Sequence, residues 1–433
     1  MKNKVIKQQK LIYLGILLSD NKAMVAIKTN GRIKIETLFI KEDEEIEEKI
    51  AKWVSPYLKK KDYKIAGAGI IGDDKNVSLG SLLWLKHDIV PVHLHQRYRF
   101  AKADVLRARS EAKKQFDADG VFIVKTLRTH EVVVNDLMSL ESYKKVTPRV
   151  LYKQLKELTN EFNELNGNLV FINATSQGGG VALMRHALIR LYRLLGCNTS
   201  WYTLKSTNDT FFAITKKKFH NVLQSVAPPD CELEDEDIAV YENEIKKNVK
   251  SLRPAIKKAN VIVIDDPQAS GLIPYIKKIN PTAKIIYRSH IQLETGLMAK
   301  KNTPQYTTWQ FLWKNIKASD VFVSHPVEEF VPKNVPKNKV VFMPAVTDPL
   351  DGLNKELSVL QQDYYMRMFN NLLRQSNQKP LDPKRPYITQ IARFDPSKGI
   401  IDVIEAYRAL RRRMEKRNVD PLLIPQLVIA GHG

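Results

Sequence analysis

Short hydrophobic runs separated by polar turns mark the first part of the chain. They predict β-strands at residues 11–18, 23–29 and 32–40, and Asn30-Gly31 between the last two is typical of a tight hairpin. The first run follows four lysines, as the apolar part of a signal peptide would, but no small-residue cleavage site comes after it. We therefore interpret it as a strand rather than a leader.

Further along, strands begin to alternate with helices. We expect an acidic amphipathic helix from about residue 44 to Pro56, followed by a strand at 63–71, a strand at 89–94, a helix at 101–116 and a strand at 120–125. These elements predict a mixed α/β unit over residues 1–147. The pattern indicates no function for this unit.

From residue 151 onward the alternation becomes regular. A helix at 151–166, a strand at 168–173 and a helix at 181–195 precede short strands rich in valine and isoleucine, at residues 261–264, 284–287, 321–323 and 340–343. Such strands, separated by helices, are typical of a parallel sheet that is buried on both faces. We expect one doubly wound domain over residues 148–348.

A second unit of the same kind follows a linker. Residues 349–386 contain four prolines around a helix near 358–374, and residues 387–433 show strand, loop, helix and strand. Two parallel strands do not make a stable sheet by themselves. This second domain is therefore expected to be cut short or completed from elsewhere.

The charge of the chain raises the question of a nucleic acid partner. There are 69 Lys and Arg against 47 Asp and Glu, a net charge of +22. These cations are spread along the chain, and the one dense run, at residues 408–417, falls on the polar face of an amphipathic helix. We expect no nucleic acid partner, although the same field would suit anionic small molecules.

Cysteine usage and hydropathy indicate the compartment. Cys197 and Cys231 are the only cysteines and lack the spacing of metal ligands, which fits a reducing environment. No apolar run is long enough to cross a bilayer. We expect a soluble, cytoplasmic protein with no membrane partner.

The sequence contains two candidate metal sites, and the evidence for each is weak. His93 and His95 lie on one face of a predicted strand, but no third ligand follows at a suitable spacing. Asp235-Glu236-Asp237 matches the DxD pattern of metal-dependent sugar transferases, yet it lies in an acidic segment that we interpret as a solvated loop. No bound metal is expected.

A glycine-rich loop is the most informative local feature. Gly178, Gly179 and Gly180 stand between a predicted strand and the helix that follows it. Glycines allow a ligand to approach the backbone closely, and free amides at the start of a helix attract anions. The spacing is neither GxGxxG nor a P-loop. The loop either faces a phosphate or a sugar, or is a tight turn required by packing.

A second loop places two cations after a predicted strand. Arg393 and Lys398 stand at the carboxyl end of that strand, where open α/β sheets bind ligands. Two convergent cations could hold a phosphate, although surface cations are common in this chain. Because the two loops belong to separate domains, they could face each other across a cleft and form a group-transfer site.

Carboxylates and a histidine follow two further strands of the first domain. Asp265-Asp266 and His290 each come directly after a predicted strand. Side chains of these types can hydrogen-bond sugar hydroxyls or stabilise developing charge. A buried structural histidine is the alternative for His290.

Residues from about 169 to 433 resemble the family-4-type retaining glycosyltransferases, whose GT-B fold consists of two facing Rossmann-like domains. Within that family the resemblance is to fungal trehalose phosphorylases and to the related trehalose synthases, which are similar only from about residue 150. It rests on long segments in the same order: NATSQGGGVALMRH, KKKFHNVLQ, DDPQ, YRSHIQ, ASDVFVSHPVEEFVP, MPAVTDPLDGLNKELS and QIARFDPSKGIIDVIEAYR.

The resemblance implies a reaction and a set of site residues. The reaction is the reversible phosphorolysis of α,α-trehalose to glucose and α-glucose 1-phosphate, with phosphate as co-substrate and neither metal nor nucleotide. Arg393 and Lys398 match the family's phosphate-binding pair, and the glycine triplet matches the donor-facing loop. His290 matches a position close to the reacting sugar, as does Asp266, which is expected to bind substrate.

The chain also departs from the family pattern. In the family the second domain continues beyond the Gly-His-Gly segment at 431–433 with a glycine-containing loop and a Glu-x7-Glu pattern, and this chain ends before either. We therefore expect a fragment with impaired activity. A nucleotide-sugar-dependent trehalose synthase and a non-catalytic sugar-binding or regulatory protein remain alternatives, and self-association is left open.

Overall fold

The computed structural model describes residues 10–19, 21–41, 44–60, 63–72, 77–94, 101–117, 120–206, 208–394 and 396–431. They form one five-stranded, one six-stranded and one two-stranded sheet. His95 and the last two residues of the Gly-His-Gly segment lie outside the described residues. In the described part of the chain, no helix combines the length and apolar character needed to span a bilayer.

The amino-terminal sheet has the strand order β3-β2-β1-β4-β5. Its first three strands form an antiparallel meander, and β4 and β5 then add parallel to β1. The strands are β1 (Lys10–Ser19), β2 (Lys22–Thr29), β3 (Arg32–Phe39), β4 (Tyr63–Ile71) and β5 (Val90–Leu94). The helices are α1 (Ile46–Leu58), α2 (Val77–His87) and α3 (Ala101–Lys114). The mixed α/β character predicted for this region is confirmed.

Helix α3 lies directly on this sheet. A Cβ added at Gly15 would come 1.9 Å from the carbonyl oxygen of Val105, and one at Gly69 would come 1.9 Å from that of Ala108. Only glycine allows so close an approach of helix and strand backbones. On the opposite face, Ile50 and Val54 of α1 join the buried core of the sheet.

The strand predicted at residues 120–125 is wrong. Phe122 makes only an isolated bridge to Phe116, and Ile123 donates its amide hydrogen to the carbonyl oxygen of Gln115 at 2.7 Å. The segment therefore folds back on the end of α3 instead of joining a sheet. Phe122 packs against that helix end, where its ring meets the Phe116 ring edge to face, whereas Val121 and Ile123 are exposed.

The central sheet is entirely parallel and has the order β11-β10-β9-β8-β6-β7. Its strands are β6 (Asn168–Asn173), β7 (Asn198–Thr203), β8 (Val261–Asp265), β9 (Lys284–Arg288), β10 (Val321–Ser324) and β11 (Val340–Phe342). The accompanying helices are α4 (Leu140–Val146), α5 (Arg149–Glu164), α6 (Gly180–Leu194), α7 (Asp209–Ile214), α8 (Asp235–Lys258), α9 (Ile273–Ile279), α10 (Thr295–Met298) and α11 (Pro304–Ile316). The predicted parallel sheet is confirmed.

The strand order creates a switch point between β6 and β8. The chain leaves β6 toward β7 on one side, returns to β8 on the other side of β6, and then continues outward through β9, β10 and β11. The connections after β6 and β8 therefore diverge and leave a crevice at the carboxyl ends of these two strands. Ligands of open α/β sheets bind in such crevices.

The acidic run at Asp235-Glu236-Asp237 is not the solvated loop that the sequence suggested. It begins α8, where Asp237 accepts a hydrogen bond from the amide of Glu234 at 2.9 Å and pairs with Lys218 at 2.5 Å. Acidic residues stabilise the positive end of a helix dipole. The Asp237 carboxylate is thus occupied by helix capping and an ion pair.

The linker and the last unit contain α12 (Val359–Gln375), β12 (Tyr387–Ile391), α13 (Ile400–Lys416) and β13 (Gln426–Ala430). The two strands pair in parallel. The linker is fastened to the amino-terminal unit, because the buried Asp88 carboxylate accepts hydrogen bonds from Lys355 at 2.7 Å and from Tyr365 at 2.5 Å. The Trp84 indole also donates to the carbonyl oxygen of Leu350 at 2.8 Å.

Candidate functional site

A buried ion pair lies under the crevice between β6 and β8. Asp265 is the last residue of β8, and its carboxylate accepts two hydrogen bonds from Arg185 of α6, at 2.7 and 2.5 Å. The Arg185 guanidinium also stacks over the Phe171 ring, 4.4 Å from its centroid. Burial alone would raise the pKa of Asp265, but the charge and hydrogen bonds of Arg185 and His290 lower it to about 2. Asp265 is therefore a permanent buried anion at neutral pH.

His290 is oriented by both aspartates. Its Nε2 lies 2.8 Å from the Asp265 carboxylate, and its backbone amide donates to the Asp266 carboxylate at 2.8 Å. Its carbonyl oxygen in turn lies 3.2 Å from Nε2 of His325. Because Nε2 faces a carboxylate, it carries the proton, and the imidazole has one defined orientation. The structure thus brings the predicted residues Asp266 and His290 together.

The backbone at Asp266 is strained. This residue has φ 62° and ψ 168°, a conformation that is almost restricted to glycine. Its amide donates to the carbonyl oxygen of Arg288 at 2.9 Å, and its carboxylate holds the amide of His290. Strain of this kind persists only where surrounding contacts enforce it, and it concentrates at functional sites. Here it places the Asp266 carboxylate between the His290 amide and the His220 ring.

A second histidine, His220, faces Asp266 from the other side. It lies in a π-helix (Thr215–Asn221), and its Nε2 is 3.8 Å from the Asp266 carboxylate. Burial lowers the pKa of His220 despite that carboxylate, with further lowering from Lys216 and Arg393. π-Helical turns occur often at functional sites.

Next to His220, the side chain of Gln268 has an amide oxygen without a hydrogen-bond partner among the described residues. Its amide nitrogen donates to Nε2 of His220 at 2.9 Å, which fits a neutral imidazole. The Gln268 amide oxygen is buried and has no partner among the described residues. A buried acceptor without a partner is energetically costly.

The glycine loop is held on one side by His186 and has open space on the other. His186 of α6 lies 3.0 Å from the carbonyl oxygen of Ser176 and packs edge to face on Trp201. Burial lowers the pKa of His186 to about 4, so the anchor is neutral at pH 7. A Cβ added at Gly178, Gly179 or Gly180 would have no atom within 4 Å.

The open space at the loop bears on the two interpretations of its sequence, a tight turn or a ligand-facing loop. Gly178 needs a glycine because its φ is 84°, whereas Gly179 is extended, with φ −154°. Packing therefore explains neither glycine, and backbone conformation explains only Gly178. The open side of the loop is consistent with a ligand that approaches the backbone.

Arg393 and Lys398 are exposed and belong to the last unit. Arg393 follows β12 and is close enough to His220 to lower the pKa of that histidine. Lys398 ends a short 3-10 turn (Pro396–Lys398), and its carbonyl oxygen accepts a hydrogen bond from Gln390 at 2.7 Å. Within the described residues, no hydrogen bond or ion pair connects either cation to Asp266 or His290. Of the two cations, only Arg393 thus acts electrostatically on a site residue of the first unit among the described residues.

Three residues of this site were missed from the sequence. Arg185 could have been noticed, because an arginine between Met184 and Ala187 interrupts the apolar face of a predicted helix. His220 and Gln268 stand in the segments KKKFHNVLQ and DDPQ, but the π-helix that aims His220 at the crevice has no sequence signal. Among the described residues, no three His, Cys, Asp or Glu side chains cluster as metal ligands.

Comparisons with known proteins identify relatives of the chain. Residues 171–332 match the family described as "Trehalose synthase, N-terminal domain". A trehalose phosphorylase of Grifola frondosa is 41% identical over 303 residues, which cover 68% of this chain and 41% of that protein. A trehalose synthase of Thermococcus litoralis is 33% identical over 275 residues, covering 64% of this chain and 60% of that protein.

The chain therefore spans less than half the length of the fungal relative that it matches. Among solved structures, "Trehalose-6-phosphate from E. coli bound with UDP-2-fluoro glucose" is similar with a TM-score of 0.45 and 12% identity, over 61% of this chain and 65% of that one. Two thirds of the present chain is thus homologous to enzymes that are named for trehalose.

Proposed function

From the homology of 68% of the chain to a fungal trehalose phosphorylase, we propose that this protein is a glycosyltransferase that acts on trehalose. The reaction is the reversible phosphorolysis of α,α-trehalose to glucose and α-glucose 1-phosphate. Phosphate is the co-substrate, and no metal or nucleotide takes part. Its partners are these small molecules, and its compartment is the cytoplasm.

The bonds and protons of this reaction balance without a further reagent. The bond between C1 of one glucose unit and the bridging oxygen breaks, and a phosphate oxygen bonds to the same face of that C1. The proton of hydrogen phosphate passes to the bridging oxygen, which leaves as a hydroxyl group of glucose. The product keeps the α configuration because attack and departure occur on one face.

The structural feature that supports the proposal is the proximity of polar side chains of the first domain to a cation of the last unit. On one side, Asp266 and His290 are groups of the types that hydrogen-bond sugar hydroxyls. On the other side, Arg393 comes close enough to His220 to lower its pKa. A neutral polyol with an adjacent anion fits this combination of charges.

In this proposal the cations and the histidine have different tasks. Arg393 and Lys398 hold the phosphate and stabilise its charge as the glycosidic bond breaks, a role for which one well-placed donor contributes about 3–4 kcal/mol. His290, oriented by Asp265, hydrogen-bonds the transferred sugar, and the open glycine loop faces the donor. Asp266 binds a sugar hydroxyl.

The test is the release of phosphate from α-glucose 1-phosphate and glucose without any nucleotide. We expect trehalose and phosphate in equal amounts, undiminished by EDTA. Arg393→Ala is expected to lower the rate by about 100-fold or more. Arg412→Ala, which removes an exposed arginine of α13, is the matched control and should leave the rate unchanged. Because we expect impaired activity, the same assay is run on a form extended with the carboxyl-terminal segment of the fungal relative. Inactivity of both folded forms would contradict the proposal.

A trehalose synthase that uses a nucleotide-activated glucose is the second candidate. It is favoured by the match of residues 171–332 to the trehalose synthase domain. Trehalose formation only when a nucleoside diphosphate glucose is supplied would establish it. Saturable trehalose binding without turnover of either donor would instead indicate a sugar-binding or regulatory protein.

A further inference from the structure

A cavity lies at the junction between the amino-terminal unit and α12. Its volume is about 250 Å³, and its walls come from the end of α1, the start of β4, the end of α2 and the first turns of α12. Among the described residues that line it, none belongs to the candidate functional site. We call it the junction cavity, and it is a separate place for a small ligand.

Positive charge is concentrated around the junction cavity. Five of the 15 residues that line it are basic and one is acidic. The basic residues are Lys59, Lys60, Lys64, Lys86 and Arg367, and the acidic residue is Asp363. The whole chain has 69 Lys and Arg among 433 residues, so basic residues are about twice as frequent around the cavity as in the chain. Such a lining favours an anionic ligand.

One of these cations belongs to a buried cluster whose charges do not balance. Lys64 and Lys355 both donate hydrogen bonds to the single carboxylate of Asp88. The three side chains are 15%, 2% and 5% exposed, and among the described residues no second carboxylate pairs with either lysine. The charge of Lys64 adds to burial in lowering the pKa of Lys355. A buried charge without a counter-charge is costly, and this cluster has one positive charge in excess.

The excess charge is next to the junction cavity. Of the two lysines, Lys64 lines the cavity and Lys355 does not. The Lys64 ammonium is held in place by a hydrogen bond to the Tyr365 hydroxyl at 3.0 Å, and it lies 4.7 Å from the centroid of the Tyr364 ring. An anion bound in the cavity would therefore supply the counter-charge that the cluster lacks.

The start of α12 adds a further reason for an anion. Ser358, which caps this helix, and Leu360 and Gln361 in its first turn line the cavity. The capping box consists of the neutral side chains of Ser358 and Gln361, and the first turn contains no acidic residue. The positive end of a 17-residue helix therefore has no anion of its own there, and phosphate groups bind readily at such ends. We infer that the junction cavity binds a small phosphate-bearing anion.

The first experiment is a calorimetric titration with inorganic phosphate at constant ionic strength. All forms carry Arg393→Ala and Lys398→Ala, so that the phosphate site of the proposed function does not contribute. We expect saturable binding. Lys59→Ala with Lys86→Ala, at two exposed positions, should weaken it by about tenfold or more. Lys250→Ala with Lys314→Ala removes two exposed lysines outside the cavity and is the matched control, which should leave the affinity unchanged.

The second experiment tests the charge imbalance. Lys64→Met removes the excess cation and leaves Asp88 paired with Lys355, so the variant should fold. Phosphate should raise the melting temperature of the parent form by about 2 °C or more relative to chloride at equal ionic strength, because it binds only the folded state. It should not raise that of Lys64→Met.

A parallel titration with glycerol 3-phosphate distinguishes the two sources of a phosphate group. Tighter binding than inorganic phosphate would indicate a phosphate ester as the occupant, and weaker binding would indicate the free ion. Absence of saturable binding of both probes up to about 20 mM would overturn the inference, since even a millimolar dissociation constant would be detected there. Binding that is equally tight with and without Lys59 and Lys86 would also overturn it.

Discussion

Arg185 and Asp265 form a doubly hydrogen-bonded ion pair whose side chains are almost completely inaccessible to solvent. The arginine comes from the helix after β6 and the aspartate from the end of β8, so the pair ties together the two connections that diverge at the crevice. The Asp265 carboxylate also holds Nε2 of His290. One buried pair thus supports both the local fold and the orientation of a predicted catalytic residue.

Removing one charge of this pair should destabilise the protein strongly. Asp265→Asn leaves the Arg185 cation buried without a counter-charge, and we expect the free energy of unfolding to fall by about 3–5 kcal/mol. Urea denaturation at pH 7 measures this loss. Glu405→Gln removes a carboxylate from the exposed pair with Arg408 and should cost less than about 0.5 kcal/mol. Equal losses in the two variants would contradict a special role for the buried pair.

The same carboxylate predicts a pH dependence. Its pKa is about 2 in the folded protein, against an ordinary value of 3.8. Because folding lowers the pKa, the ionised form contributes stability that is complete above about pH 4 and is lost as the pH falls through 2. The stability difference between wild type and Asp265→Asn should therefore shrink by about 2 kcal/mol between pH 5 and pH 2. A difference that stays constant over this range would disprove the assignment.

At position 266 we expect glycine to destabilise the protein less than alanine does, which is the reverse of the usual order. Asp266→Gly and Asp266→Ala both remove the hydrogen bond to the His290 amide, but only glycine adopts φ 62° and ψ 168° without strain. We expect the glycine variant to be more stable than the alanine variant by about 1–3 kcal/mol in urea denaturation. Both variants should lose turnover. If alanine were the more stable, the backbone would not be strained in solution.

The glycine loop offers a test that separates stability from binding. Gly179→Ala meets no atom in the folded protein, so its melting temperature should equal that of the wild type. Gly178→Ala should cost about 1 kcal/mol because of its positive φ. We expect Gly179→Ala nevertheless to weaken trehalose binding by about tenfold, because the added methyl group occupies space reserved for the ligand. Calorimetric titration measures this, and unchanged affinity would favour a turn without ligand contact.

The regular strands and helices were predictable because their hydrophobic periods are strong. All six strands of the central sheet are short, and five of them were expected at nearly their observed positions. The strand β7 was missed because its residues Asn198–Thr203 are mostly polar and show no hydrophobic pattern. It forms through its pairing with β6. The strand prediction at residues 120–125 was wrong for the opposite reason. It has an apolar pattern but no continuous partner strand.

The candidate site was predictable only where a residue follows a strand directly. Asp266 and His290 were found in this way, because the carboxyl ends of neighbouring parallel strands meet. Arg185 and His220 reach the same place from a helix and a π-helix, so their approach depends on how those elements pack. The strained backbone of Asp266 is likewise a result of surrounding contacts and not of residue type.

A continuous series of contacts connects the amino-terminal sheet to the last unit. Asp88 binds Tyr365 of α12, and Asn370 of the same helix exchanges two hydrogen bonds with the backbone of Leu381. The next residue, Asp382, exchanges two more with the side chain of Gln426, which begins β13.

This series runs around the crevice rather than through it. The separation between Arg393 and His220 is therefore set partly by a sheet that supplies none of the site residues named above. Substitutions in the first 90 residues that loosen the hold on α12 should alter the separation between Arg393 and His220, and hence the proposed turnover, while leaving Asp266 and His290 unchanged. The amino-terminal unit would then influence the site indirectly, through the position in which it holds the linker and α12.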